Sequence, residues 1–180
     1  METEQKTHRD QGNKTLLHIL HMADPTLPIG GFSHSNGLET YVQQGIVKDV
    51  HSVHLFAKHM LQYNYKFNDG LFLRFAHQCA TKRNVDAVLA LDQKCNAVKS
   101  PKESREGGQK LGARFLKLYL NLLEDPLLQS YYNLLQNKET PGHYPIAFGL
   151  VSALLDIPLS QALGSFYYNA AISIITNAVK

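Results

Sequence analysis

Tryptophan is absent from this 180-residue chain, and cysteine and methionine are scarce at two and three copies. Cys79 and Cys95 stand far apart with no CxxC spacing. That excludes a disulfide scaffold or a zinc ribbon and fits a reduced, intracellular setting. No run approaches the ~18 consecutive apolar residues that a membrane span requires. The opening METEQKTHRDQGNK is polar and charged, without the apolar segment of a secretory leader. A cytoplasmic protein is therefore expected, with no membrane contact. Charge is thin as well: Asp, Glu, Lys and Arg together make 18% and the net charge is +3. Nucleic-acid binding ordinarily needs a dense basic stripe, so no nucleic-acid partner is expected. No β-hairpin signal and no internal repeat occur.

What is there is apolar and helical. Apolar residues reach 44%, enough for a packed core. Residues 1–13 read as a mobile tail. From residue 14 to 180 the apolar spacing follows steps of three and four, predicting one all-α domain of roughly eight to ten helices. Leu16, Leu17, Leu20 and Ala23 make a first helix that stops at Asp24-Pro25. A second is expected from about Ser35 to Gln44, with Gly45 as its stop. Asp49 offers an N-cap to a helix carrying Val53, Phe56, Ala57, Met60 and Leu61. Asn68 or Asp69 opens the next, and Asn84 to Val98 another. Then comes SPKESREGGQKLGARFLKLYLNLLED, closed by Pro126. Short helices at Leu127–Leu135 and Tyr144–Leu155 follow, and a last one opens at Ile157-Pro158. That last helix meets no glycine or proline stop, so the natural protein is expected to continue beyond it.

Two segments break the pattern. DPTLPIGGFSHSNGLET, from Asp24 to Thr40, concentrates two prolines and three glycines in one connection. It lacks the phosphate-loop spacing and a lysine to reach a phosphate. Ser33 and His34 are sequence neighbours outside any nucleophile elbow, so Ser33 or Ser35 reads as a helix cap with Glu39 in the first turns. Pro25 and Pro28 stiffen the loop, which is expected to present Phe32, and His34 with it, to a partner. The alternative is that Phe32 plugs the protein's own core.

In the second segment Glu103, Glu106, Lys110, Arg114 and Lys117 share one helix face, with Glu106 and Lys110 spaced as a favourable pair. Leu111, Phe115, Leu118 and Leu122 are expected on the buried face. Gly107, Gly108 and Gly112 each cost about 1 kcal/mol inside a helix. They imply close approach by another backbone, or a helix that begins after Gly108. His18/His21 and His51/His54 sit at helix-facing spacings and are weak candidates for a metal contact; three or four ligands would make a stable site.

LPIGGFSHSNGLE (Leu27 to Glu39) and SREGGQKLGARF (Ser104 to Phe115) resemble the two signature stretches of the UreF family of urease accessory proteins. The spacing between them, HYPIAFGL at His143 to Leu150 and SIITNAVK at the end resemble that family too. The resemblance implies an all-α accessory protein that is not an enzyme. It implies binding to a UreD/UreH-type accessory protein and to the UreG GTPase, promoting nickel insertion into apo-urease, and a homodimer at the centre of the complex. Nickel and GTP would be handled by the complex, with no cofactor bound by this chain. The residues expected at partner surfaces are Pro28, Gly30, Phe32, Ser33, His34, Glu39, Arg105, Glu106, Lys110, Arg114, Lys117 and Tyr168; Tyr168 matches a family position linked to dimer and partner contacts. Two departures are visible. The family's C-terminal tail is not in this sequence, and Leu163-Gly164-Ser165 stand where relatives often carry larger or charged side chains. The alternative function is a GTPase-activating-like regulator of the partner, with Arg105 or Arg114 supplied in trans; a histidine-based metal-binding protein ranks below it.

Overall fold

The computed structural model describes residues 2–31 and 37–179, with side chains from Gly12 onward. Among the described residues there are nine α-helices and no strand: α1 (Glu2–Ala23), α2 (Leu38–Gln43), α3 (Val50–His59), α4 (Asp69–Thr81), α5 (Val85–Val98), α6 (Lys102–Leu120), α7 (Pro126–Gln136), α8 (Tyr144–Leu154) and α9 (Leu159–Ala178). The expected all-α bundle is what is found. Residues 2–13, expected as a tail, form the first turns of α1.

Helix α8 is the hub. Its sequence YPIAFGLVSAL has no charged residue, and Pro145 through Ser152 are all buried. A helix apolar on every side belongs inside a bundle. Two glycines let neighbouring backbones reach it. A Cβ at Gly149 would strike the Leu73 carbonyl oxygen of α4 and lie 3.0 Å from the Ala76 Cβ. A Cβ at Gly112 of α6 would strike the Gly142 carbonyl oxygen and lie 2.8 Å from the His143 backbone. The glycines of α6 thus do what their helical position implied: α6 begins at Lys102, ahead of them, and Gly112 admits another backbone. Between the helices Phe115 stacks on Phe148 (centroids 5.6 Å apart), and Phe166 meets Phe148 edge-on at 5.3 Å.

Local chemistry sets the ends of several helices. Asp49 caps α3 by a capping box, Ser52 N donating to Asp49 Oδ1 (2.8 Å) and Asp49 N to Ser52 Oγ (3.0 Å). Asp125 caps α7, accepting from Leu127 N (2.8 Å) and Leu128 N (3.3 Å). Three boundaries and one ion pair differ from expectation. Helix α2 begins at Leu38 behind a left-handed Gly37 (φ 87°); the expected opening and cap at Ser35 lie outside the described residues. The helix through Met60 and Leu61 loosens into a π-helical turn, Met60–Tyr65. Helix α6 closes at Leu120, short of Pro126. That leaves Leu122 59% exposed, off the buried face it was assigned to. And Glu106 pairs with Lys102 (3.8 Å), one turn back, in place of Lys110.

Candidate functional site: a cleft between the first loop and helix α6

After α1 the chain turns sharply. Asp24 Oδ1 accepts from both the backbone N and the hydroxyl of Thr26, each at 2.7 Å. These bonds hold the Asp24 carboxyl below its usual range. Leu27 and Ile29 point inward and Pro28 outward. Gly30 takes φ 81°, the left-handed region that favours glycine.

The guanidinium of Arg114 closes the turn from outside: its Nη1 donates to the Ile29 carbonyl at 3.1 Å. It also fills the space a Cβ on Gly30 would occupy. One turn back on α6, Leu111 Cδ2 lies 3.6 Å from the corresponding point at Gly31. The two segments singled out in the sequence, eighty residues and more apart, therefore touch.

Between them, the π-helical turn and α9 opens a cleft of about 700 Å³. Its buried lining includes Gly107, Phe166 and Ala170, and its rim carries exposed Glu39, Glu103 and Lys110. Deeper in the lining Lys99 Nζ meets Asp69 Oδ1 at 2.7 Å, with less than a fifth of either side chain exposed. The Tyr65 hydroxyl, also on the lining, is pushed up out of its usual range by burial and by the charge of Asp69. Apolar depth with a charged rim suits a macromolecular contact.

The expected partner residues divide. Glu39, Lys110 and Lys117 are exposed, as are Pro28 and Tyr168, and Glu106 is half-buried beside the cleft. Arg114 is committed to the loop. Arg105 is committed as well: its Nη1 donates to the carbonyls of Lys99 (3.0 Å) and Ser100 (3.2 Å), capping the end of α5. Phe32, Ser33 and His34 lie outside the described residues. Tyr168 sits on α9, apart from the residues that line the cleft. Of the histidines, His21 Nδ1 is hydrogen-bonded to the Tyr119 hydroxyl (2.7 Å), His18 is half-buried on α1, and His51 and His54 are exposed on α3. No group of three or more metal-ligating side chains occurs among the described residues.

A polar centre next to the cleft went unnoticed in the sequence. Asp92 of α5 is fully buried. Its carboxylate accepts four hydrogen bonds: from Tyr131 Oη (2.8 Å), Thr140 Oγ1 (2.6 Å), Gly142 N (2.6 Å) and His143 N (3.0 Å). His143 Nε2 lies 3.1 Å from Asn96 Oδ1, which also accepts from Gln109 Nε2 at 2.9 Å. The Nε2 therefore carries the imidazole proton. Nδ1 is buried without a partner among the described residues, and burial pushes the His143 pKa down to about 4. This centre sets the backbone that enters α8 and presses on Gly112. A signal existed: Asp92 falls four residues after Val88 and three before Cys95, on the buried face of α5.

Residues 47–180 match the protein family described as UreF. The chain is 43% identical over 162 residues to the urease accessory protein UreF of Actinobacillus pleuropneumoniae, an overlap spanning 90% of this chain and 71% of the relative. It is 41% identical over 162 residues to that of Haemophilus influenzae strain PittGG (90% and 69%). To that of Lachnoclostridium phytofermentans it is 33% identical over 165 residues (92% and 72%).

Proposed function

The chain belongs to the UreF family of urease accessory proteins, and from that premise we propose that it acts in the cytoplasm as a scaffold without catalysis of its own. It holds a UreD/UreH-type protein and the UreG GTPase in register while nickel enters apo-urease. The working unit is a homodimer, and nickel and GTP are handled by the assembly. No described helix is long and apolar enough to cross a membrane.

The observation that carries this reading is the contact of Arg114 with Ile29. It joins the two family-like stretches along one cleft edge, where side chains that face solvent await a partner. Lys110 on the cleft rim and Lys117 two turns further along α6 are exposed and make no ion pair among the described residues, so they, and not Arg114, are the residues to reverse when asking whether α6 meets an acidic partner. The deciding experiment is reconstitution: apo-urease, nickel, bicarbonate, GTP and the other accessory proteins, with and without this chain. Urease activity should depend on its presence; equal activity without it would end the proposal. The GTPase-regulator alternative draws no support from Arg105 and Arg114, since both are bonded to carbonyls of this chain. The partner's GTP hydrolysis rate with and without the chain tests it directly.

A further inference from the structure

The rod formed by α3, the π-helical turn and α4 has a second face, turned away from the bundle. Its inward side is marked by Tyr65 against Phe166, by Gly70 beneath the Tyr167 hydroxyl, and by buried Leu73, Ala76 and Ala80. Its outward side carries Tyr63, Phe67, Leu71 and Phe75, four residues apart in turn and 64%, 56%, 38% and 46% exposed. At the join Asn68 leaves helical geometry (φ −114°, ψ −88°), yet hydrogen bonds span it, Asn68 N donating to Asn64 O (3.0 Å) and Phe72 N to Asn68 O (3.1 Å). Side chains four apart share a helix face, as Leu71 and Phe75 do on α4; Tyr63 and Phe67 carry the exposed apolar surface on across the join. Apolar residues exposed singly are ordinary, but three aromatics and a leucine in one row have the composition of an interface centre.

The charges beside the row have one sign. From Val50 to Val85 the sequence holds Lys58, Lys66, Arg74, Lys82 and Arg83 against a single acid, Asp69. Asp69 is taken by Lys99, and Arg83 is paired with Asp125 (2.7 Å). Lys66 lies along the row, its Nζ 5.2 Å from the Phe67 ring centre. Arg74 is exposed and three residues past Leu71. A second copy seated on this face by two-fold symmetry would set basic border against basic border.

We propose that the row Tyr63–Phe67–Leu71–Phe75 docks an amphipathic helix of a partner protein, one whose apolar seam is bordered by glutamate or aspartate. Such a helix lays its own i, i+4, i+7 side chains between the aromatic ones and brings its acids to Lys66 and Arg74. The inference rests on the reading of this chain as one that works by holding other proteins.

The test uses the full chain and two synthetic three-heptad helices with leucine at a and d. One carries glutamate at e and g, the other lysine. Fluorescence anisotropy should show the glutamate helix binding at least about tenfold tighter. Phe67→Ala with Phe75→Ala should weaken it about tenfold or more. Lys66→Glu with Arg74→Glu, which leaves the apolar row intact, should turn the preference toward the lysine helix. All variants should keep the parent melting temperature, because the four side chains lie outside the core. Equal binding of the two helices, binding of neither, or indifference to the Phe variants overturns the proposal. So does concentration-dependent self-association that the Phe variants abolish, which would assign the row to a second copy. Urease takes no part in this assay, so its failure leaves the maturation reading standing, and the converse holds.

Discussion

Two junctions in this molecule are each closed by one charged side chain, and they differ in kind. Among the described residues Arg114 holds the first loop to α6 through one hydrogen bond, to Ile29 O at the solvent edge. Asp92 holds α5, α7 and the turn into α8 through four, with no exposure. A charge at the surface exchanges water for one carbonyl and gains little. A buried carboxylate that satisfies four donors leaves all of them stranded when it is removed. The first junction is therefore adjustable and the second is not, which suits a rigid body that offers an edge to partners.

Removing the inner charge should hurt most. Asp92→Ala strands two hydroxyls and two backbone N–H groups in the core and should lower stability by roughly 3–5 kcal/mol, read by urea denaturation. A loss near that of an ordinary surface substitution would make the two junctions alike after all.

Next comes Gly112→Ala. Its methyl has no room against the Gly142 carbonyl and the His143 backbone, so α6 and α8 must part, at about 1–3 kcal/mol. A neutral or stabilising effect, as expected of alanine in an open helix, would show that the contact yields easily.

Acid sharpens the contrast further. The His143 pKa is about 4 in the folded protein, against an ordinary 6.5. The unfolded chain thus takes up a proton first, and stability is lost as pH falls from about 6.5 towards 4. The loss contributed by His143 should reach roughly 2 kcal/mol by pH 5. Burial opposes the proton, aided by Lys99 and Arg105, while Asp92 and Asp69 favour it. Replacing His143 by Gln should flatten that part of the profile; an unchanged slope would move the acid sensitivity elsewhere.

The smallest effect belongs to the outer junction. Arg114→Ala should cost about 0.5–1.5 kcal/mol and speed amide exchange at residues 29–31 while α4 and α8 stay protected. Uniform loss of protection would mean that Arg114 supports the whole fold.

Much of the fold was legible because helix ends are local events. Asp49 and Ser52, Asn84 with the Ala87 amide (2.9 Å), and Asp125-Pro126 each satisfy or forgo a few backbone groups within one turn. The π-helical turn at Met60–Tyr65 was not legible, since it answers to packing against α9 and not to its own residues. Nor was the early close of α6 at Leu120, ahead of the proline that was expected to end it. At the cleft the exposed face of α6 could be read from charge spacing. That Arg105 and Arg114 are spent on carbonyls could not, because a long cation looks the same in sequence whether it meets solvent, a partner or its own chain.

The order of apolar and polar residues alone determined that this chain forms helices and which face of most of them is apolar, and it marked Gly112 as a candidate for close approach by another backbone. Only the tertiary structure decided what each neighbour is: that the loop comes to Arg114, that Asp92 receives the turn before α8, and that an apolar row running from the π-helical turn into α4 is left facing water. Helical periodicity is a property of near residues, whereas these contacts join positions tens of residues apart, and the packing of the whole bundle selects them.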